Sequence, residues 1–379
     1  MTKLLSSLRI LSVEQYGAGP YGTMILADLG AEVIKIEDPG RGGDVSRGVG
    51  PYMLGKGDSE FFQTFSKGKK SVALDLKSDD GRHAFEKLVQ GADAVANNLR
   101  GDQPAKLGLT FEALKAINPK IVCAHLSAYG RDSERAAWPG YDYLMQAEAG
   151  FMSLTGEPDG PPVRFGLSMV DFHTGSQLAA SLLAGVLNAR ETGTGCDVDV
   201  CLFDTAVHQL SYPATWYLNQ DHVTGRLPRG AHPSIAPSQL VKTKDGWGLL
   251  MRQTPKFWDL FCELADAQHL KDDPLFADIP ARRENLEALT EAVDAVMEKQ
   301  SAETWMTRLG GKVPFAPVLD IAAALDSPYV NAIGMTETVP HPAREEGLRT
   351  LASPIKVNGK RLSSSRAPTL GEHTDEVLS

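Results

Sequence analysis

Five apolar runs, alternating with three helical stretches, fill residues 8–130 and leave little choice of architecture. "LRILSVE" reads as a strand, "GAGPYGTMILADLG" as a Gly-rich turn feeding a helix, and "AEVIKIED" as the next strand. The alternation continues through "KKSVALDL" (strand) and "DDGRHAFEKLVQGA" (helix). It then runs through "DAVANNL" (strand), "FEALKAINP" (helix) and "KIVCAHLSAYG" (strand). Strands separated by helices predict an α/β fold with a mainly parallel sheet covered on both faces.

From Asp142 onward the pattern turns helical, first in "YDYLMQAEAGFMSLTG" and then in a nearly uncharged run ending about Glu191. In that run Leu178, Leu182, Leu183, Val186 and Leu187 recur at helical spacing, while Ala179, Ala180, Ala184 and Gly185 allow close packing. "GTGCDVDVCLFDTAVHQLSYPATWYLNQ" predicts one strand and one helix. The Pro- and Gly-rich "GRLPRGAHPSIAPSQ" marks an internal boundary. Beyond it, "LVKTKDGWGLLMR" predicts a hairpin turning at Asp245 and Gly246, and three amphipathic segments follow, around 256–264, 283–299 and 301–309. The expected domains are a large discontinuous one (1–200 and 330–379), a linker helix region (201–225) and a small α/β domain (226–329).

With 379 residues the chain is long enough for two cores. A formal charge of −10 is the wrong sign for general binding to nucleic acid. Cys123, Cys196, Cys201 and Cys262 are scattered without a CxxC pair, which predicts a reduced, cytoplasmic setting and no zinc site. The N-terminal "MTKLLSSLRILSVEQYGAGP" is not read as a targeting segment, and no apolar run is long enough to span a bilayer, so no membrane partner is expected.

Several motifs carry chemistry. "GAGPYG" has the G-x-G-x-x-G spacing of a dinucleotide turn through Gly17, Gly19 and Gly22, with Glu37 and Asp38 after the next strand in reach of a ribose. Pro20 in the first helical turn fits that use poorly. The nine histidines form no close ligand pair, so no catalytic metal is expected, and no G-x-S-x-G elbow occurs. "GEHTDEVL" taken alone reads as a polar surface turn. Asp171, just before "FHTGSQLAASLLAG", has two readings that stay open locally. It caps the helix through backbone N–H groups, or it is a nucleophile that the helix end keeps ionised.

In order and spacing these pieces resemble the family III CoA-transferases, the formyl-CoA transferase and carnitine CoA-transferase relatives. The resemblance rests on "GAGPYGTMILADLGAEVIKIEDPGRGGDVSR", "KKSVALDLKSDDG", "NNLRGDQPAKLGL", "PGYDYLMQAEAG", "GLSMVDFHTGSQLAASLLAGVLNARETGTG", "VDVCLFDTAV" and "APTLGEHTDEVL". It implies a Rossmann-like large domain built from both chain ends, an inserted small domain, and a homodimer of interlocked rings. The chain stops directly after "GEHTDEVLS", where the family usually carries a further helical tail. Asp171, between Gly166 and Gly175, falls at the position of the family's nucleophile. The resemblance implies that Gln15, Tyr16 and Ala18 lie near the pantetheine arm of CoA, and Leu74, Asn98 and Leu99 toward the nucleotide. Lys77, Lys106 and Arg41 are assigned to phosphates, Tyr141 to the CoA site and Asp142 to the substrate. Backbone donors for an oxyanion would come from "GAG" and "FGL". Acyl-CoA is then a substrate rather than a tightly bound cofactor, and the partner is a small carboxylic acid.

Two departures narrow this picture. Oxalate-using members carry a glycine run and a Gln where this chain has Gly17, which points away from oxalate and formyl-CoA. The racemase branch carries "GHD" where this chain has Gly140, Tyr141 and Asp142, so one of the two acid/base groups that racemisation needs is missing. Arg252 interrupts an apolar strand end in "GLLMRQTPKFW". It is either a solvent-facing hairpin residue or the partner of the free carboxylate in a diacid such as succinyl. A CoA-transferase, an α-methylacyl-CoA racemase type and an NAD-dependent dehydrogenase are the three activities in view.

Overall fold

A computed structural model describes residues 3–251 and 254–379. The chain divides into two compact units. Met1–Ala149, Gly166–Leu210 and Pro328–Ser379 form the first, and Gly150–Phe165 with Ser211–Ser327 form the second.

The first unit is built on six parallel strands: β1 (Arg9–Val13), β2 (Glu32–Glu37), β3 (Lys70–Ala73), β4 (Ala94–Asn97), β5 (Val122–Ser127) and β6 (Cys196–Cys201). Their order is β3-β2-β1-β4-β5-β6. Chain direction through the sheet reverses between β1 and β4, so the connections go to opposite faces and leave a crevice at the carboxyl ends of the strands. Helices cover both faces, and Ile10, Leu11, Ile34, Val95 and Cys123 are wholly enclosed. This double coverage is why the strands read as continuous apolar runs instead of alternating ones. Lys35 and Ser12 are among the polar exceptions, aligned across β2 and β1 and equally buried.

Two helices meet over this sheet at glycines. Helix Ala18–Asp28 crosses helix Met169–Thr192 so closely that a Cβ on Gly22 would lie 2.4 Å from the Gly175 carbonyl oxygen, and one on Gly175 would lie 2.5 Å from the Ala18 oxygen. The long helix buries Leu178, Leu182, Gly185 and Val186, whereas Leu187, grouped with the apolar stripe in the sequence, is exposed.

The C-terminal "GEHTDEVL" is not a free surface turn. His373 donates its backbone N–H to the Ser71 carbonyl (2.9 Å), Ala73 N donates to Thr374 Oγ1 (3.0 Å) and Gly371 N to Ser71 Oγ (2.9 Å). The segment therefore satisfies the open edge of β3, which a polar reading of its composition could not foresee. A hairpin of Thr336–His341 and Arg344–Leu351 also went unread in the sequence.

In the second unit an antiparallel sheet of Ser238–Thr243, Gly246–Met251 and Phe315–Pro317 supports helices Pro255–Leu264, Leu286–Met297 and Ala302–Leu309. Trp258, Phe261, Leu289 and Trp305 fill the core between them. Thr243 pairs with Gly246, so the hairpin turns at Lys244 and Asp245, one residue earlier than expected. Asp245 Oδ1 is occupied by the Ala302 N–H (2.8 Å). Residues 202–220 form two helices in place of one, Leu202–Gln209 and Ser211–Gln220, broken where Ser211 adopts φ of 51°. The division between units falls at this break, upstream of the Pro/Gly loop. Gly150–Phe165 joins the second unit because Arg226 Nη1 donates to the Gly160 and Pro161 carbonyls and Arg229 N to Glu157.

The Gly22–Gly175 crossing is testable. Alanine in a helix normally gains about 1 kcal/mol over glycine. At Gly22 overpacking against backbone should outweigh that gain, leaving a net loss of roughly 1–3 kcal/mol. Urea unfolding of Gly22→Ala should show a lower midpoint at unchanged slope, and a midpoint equal to or above that of the parent would contradict the crossing.

Candidate active site

A cavity of about 630 Å³ opens at the carboxyl ends of the strands, and residues from the ends of all six help to line it. Val13 to Ala18 enter from β1, Ile36 and Glu37 from β2, Leu74 from beyond β3, Asn98 from beyond β4, Leu126 and Ser127 from β5, and Leu202 from beyond β6. The strand order alone places a ligand here.

Asp171 is the third residue of helix Met169–Thr192 and lines this cavity. The capping question raised by the sequence has a divided answer. Ser168 at the N-cap makes no side-chain cap bond. Asp142 supplies it instead, its Oδ2 accepting the Asp171 backbone N–H (3.0 Å) and its Oδ1 accepting Gln146 Nε2 (2.5 Å). No hydrogen bond to the Asp171 carboxylate itself is recorded among the described residues. Burial, reinforced by the Asp142 charge, pushes the Asp171 carboxyl up to about 7. The expectation that the helix end would keep it fully ionised is thus corrected. The dipole contributes about 0.3–1 kcal/mol at such a site, less than desolvation beside a second carboxylate.

Opposite Asp171 stands the turn between β1 and helix Ala18–Asp28. A Cβ on Gly17 would touch Asp171 Oδ2 at 3.4 Å, so the backbone of the turn lies directly against the carboxylate. Gly17 and Ala18 begin the helix, and their amides make no recorded hydrogen bond among the described residues. The turn is held from two sides. Gln15 N donates to Asn98 Oδ1 (2.8 Å) while Asn98 Nδ2 donates to the Gln15 carbonyl (2.7 Å). Tyr16, with φ of 69°, donates its N–H to Asp44 Oδ1 (3.0 Å). Tyr21 packs its ring 4.9 Å from that of Phe172, fixing the two helix starts together.

Of the residues expected from the sequence, Gln15, Tyr16, Ala18, Arg41, Leu74, Lys77, Asn98, Leu99, Tyr141 and Asp171 all line the cavity. Lys106 does not. It forms an ion pair with Asp102 (2.6 Å) one helical turn away, and Arg100, which the sequence reading passed over, lines the cavity instead. Asp142 is buried and spent on the helix cap, so it is not among the lining residues either. Arg252 lies outside the described residues. Gly166, one of the proposed donors, is not among the lining residues, whereas Gly17 is.

Of the two acids expected near a ribose, Asp38 lines the cavity, whereas the oxygens of Glu37 are already engaged. Glu37 gives both oxygens to Arg47 (2.8 and 2.7 Å) and accepts Ser71 Oγ (2.5 Å), and these bonds with the Lys35 charge hold its carboxyl below the usual range against the cost of burial. Among the described residues no histidine lines the cavity, and Tyr141 stands there at the position where the racemase branch carries His.

The Asp171 assignment predicts a titration. Because its pKa is raised, the carboxyl is protonated below about 7 and becomes an anion as pH rises through that value. Carbon-13 NMR of Asp-labelled protein should show one carboxyl with a midpoint near 7 that disappears in Asp171→Ala. Asp142→Asn keeps an oxygen for the cap but removes the charge, so the midpoint should move down. A midpoint in the ordinary carboxylate range in the parent protein would refute the environment described.

The similarities of the chain agree with this site. The model of "CoA-transferase family III" matches residues 5–374. Succinyl-CoA:mesaconate CoA-transferase of Haloarcula hispanica is 33% identical over 383 residues, covering 99% of this chain and 95% of that protein. Succinate–glutarate CoA-transferase of Agrobacterium fabrum is 31% identical over 386 residues, covering 99% and 94%. The crystal structure of a CAIB/BAIF family protein from Brucella suis superposes with a TM-score of 0.84 at 30% identity, covering 98% of each chain. With the Rossmann-like sheet and the cavity at its carboxyl edge, these matches assign the chain: it belongs to CoA-transferase family III.

Proposed function

We propose that this enzyme moves CoA from a short dicarboxylyl-CoA, such as succinyl-CoA, to a second carboxylic acid, with Asp171 as the covalent nucleophile. The observation that carries the reading is the Asp171 carboxylate. Among the described residues it faces the cavity and accepts no hydrogen bond, burial beside Asp142 raises it to about 7, and it lies against the Gly17 backbone where a helix begins. A carboxylate made more basic by its surroundings is a stronger nucleophile, and still substantially ionised near neutrality. Relatives that act on succinyl-CoA with mesaconate, and on succinate with glutarate, support a diacid on each side of the exchange.

The chemistry balances without ATP. Asp171 attacks the thioester carbonyl, a C–O bond forms and the C–S bond breaks, leaving a mixed anhydride and CoA thiolate. The thiolate attacks the Asp171 carbonyl carbon, releasing the donor acid as its carboxylate and leaving CoA in thioester linkage to the enzyme. The acceptor carboxylate attacks that thioester and restores an anhydride with thiolate. Finally the thiolate attacks the acceptor acyl carbon, giving new acyl-CoA and free Asp171. Each tetrahedral stage carries an oxyanion, and we assign the Gly17 and Ala18 amides, at the helix start beside Asp171, as its donors. Arg41, Lys77 and Arg100 are the cavity cations we assign to CoA phosphates. The interlocked homodimer and a cytoplasmic location belong to the same proposal. No helix among the described residues is long and apolar enough to cross a membrane.

Mass spectrometry tests the core of this reading. Incubation with succinyl-CoA should add CoA to the peptide containing Asp171, and Asp171→Ala should show neither adduct nor turnover. Turnover that persists in Asp171→Ala would overturn it. The diacid preference is tested separately at Arg252, which we assign to the free carboxylate of the acyl group. Arg252→Ala should lower kcat/KM for succinyl-CoA by about 10–100-fold, the loss of a charged hydrogen bond. It should leave a monocarboxylic donor nearly unaffected, and equal loss for both donors would contradict the assignment.

A further inference from the structure

Beneath the turn that carries Gly17 lies a set of ionisable side chains. Three acids (Glu14, Glu37, Asp44) and three bases (Lys35, Arg47, Lys69) are all buried. Lys35 Nζ lies 2.8 Å from Asp44 Oδ2 and donates to the Glu14 carbonyl at 2.8 Å, and both side chains of the pair are wholly excluded from solvent. Lys69 Nζ contacts Glu14 Oε1 (2.7 Å) and donates to Thr23 Oγ1 (2.8 Å).

Such burial is expensive. Apolar residues of similar shape often serve stability as well or better, so a buried pair is weak evidence of a stabilising role. What Asp44 does with its remaining oxygen is more specific. Oδ1 accepts the N–H of Tyr16 (3.0 Å), together with Ser46 N (2.8 Å) and Ser46 Oγ (2.7 Å). Tyr16 is a bulky residue at φ of 69°, a strained conformation that persists only where surroundings impose it. The next residue is Gly17, whose backbone meets Asp171.

We infer that Lys35 and Asp44 form a positioning pair for CoA transfer, Lys35 holding Asp44 and Asp44 holding Tyr16 in the left-handed conformation that sets the Gly17 amide against Asp171. Neither residue touches the acyl group; both act through the turn. The inference rests on Asp171 as the nucleophile.

Two charge-balanced double variants test it. Lys35→Met/Asp44→Leu removes the acceptor for the Tyr16 N–H, and Lys35→Met/Asp44→Asn keeps an oxygen in its place. If the pair positions the turn, the Leu variant loses about 100-fold in kcat and in the rate of CoA-adduct formation on Asp171, the scale of a misplacement of roughly 1 Å. The Asn variant recovers most of that loss, and the two have similar unfolding midpoints. Equal rates in the two variants, or a Leu variant as fast as the parent, overturn the inference. Should the Leu variant fail to fold, hydrogen exchange of the parent decides. Protection of the Tyr16 amide comparable to the β1 core supports the inference, and rapid exchange overturns it. A parent protein that forms no adduct on Asp171 would refute the nucleophile assignment instead, while exchange would still report whether Asp44 holds the turn.

Discussion

Everything in the site depends on two helices meeting backbone to backbone. At Gly22 and Gly175 there is no room for a Cβ on either side, and this closeness brings the starts of both helices together at one cavity wall. Asp171 lies one helical turn before Gly175, and Gly17 just over one turn before Gly22, so the crossing sets the carboxylate against the backbone of the turn at Gly17. A wider spacing would leave the two groups in the same cavity but out of reach. Precise placement of donors relative to developing charge is where most catalytic stabilisation arises.

The electrostatics follow from the same closeness. A carboxylate in the first turn of a helix would ordinarily be a stabilised anion, and here that tendency loses to burial and to Asp142. The division of labour between the two acids is the central device. Asp142 spends its oxygens on Asp171 N–H and Gln146, which frees the Asp171 carboxylate from capping while its charge keeps that carboxylate basic. On the other wall, the buried charges under Tyr16 oppose the backbone strain of the turn. Arg47 connects that network outward, since it also donates to the Pro368 carbonyl (3.1 Å) in the segment that closes the edge of β3.

The sheet was legible in the sequence because its strands are covered on both faces and therefore read as unbroken apolar runs between amphipathic helices. Asp171 was legible as a helix-start acid, and the proposal that it reacts came only from the resemblance of the surrounding motifs. Less could be read where partners are distant in sequence. Lys35 stands out as a charge within "AEVIKIED", yet nothing local says that Asp44 meets it or that Asp44 turns toward Tyr16. Lys106 and Arg100 are equally basic in "NNLRGDQPAKLGL" and both pair with Asp102, and only the fold shows that Arg100 lines the cavity while Lys106 does not. The role of "GEHTDEVL" was hidden for the same reason, because its partners Ser71 and Ala73 lie some 300 residues earlier.

The central claim is that an oxygen of Asp171 passes through an anhydride in every cycle. An acceptor diacid labelled with oxygen-18 in its carboxylates separates this route from direct exchange between bound substrates. After turnover with succinyl-CoA the peptide containing Asp171 should be heavier by labelled oxygen, because the bridging atom of the second anhydride stays with the enzyme when thiolate attacks the acceptor carbon. An unlabelled Asp171 peptide, with all label in the acyl-CoA product and free acid, would contradict the account.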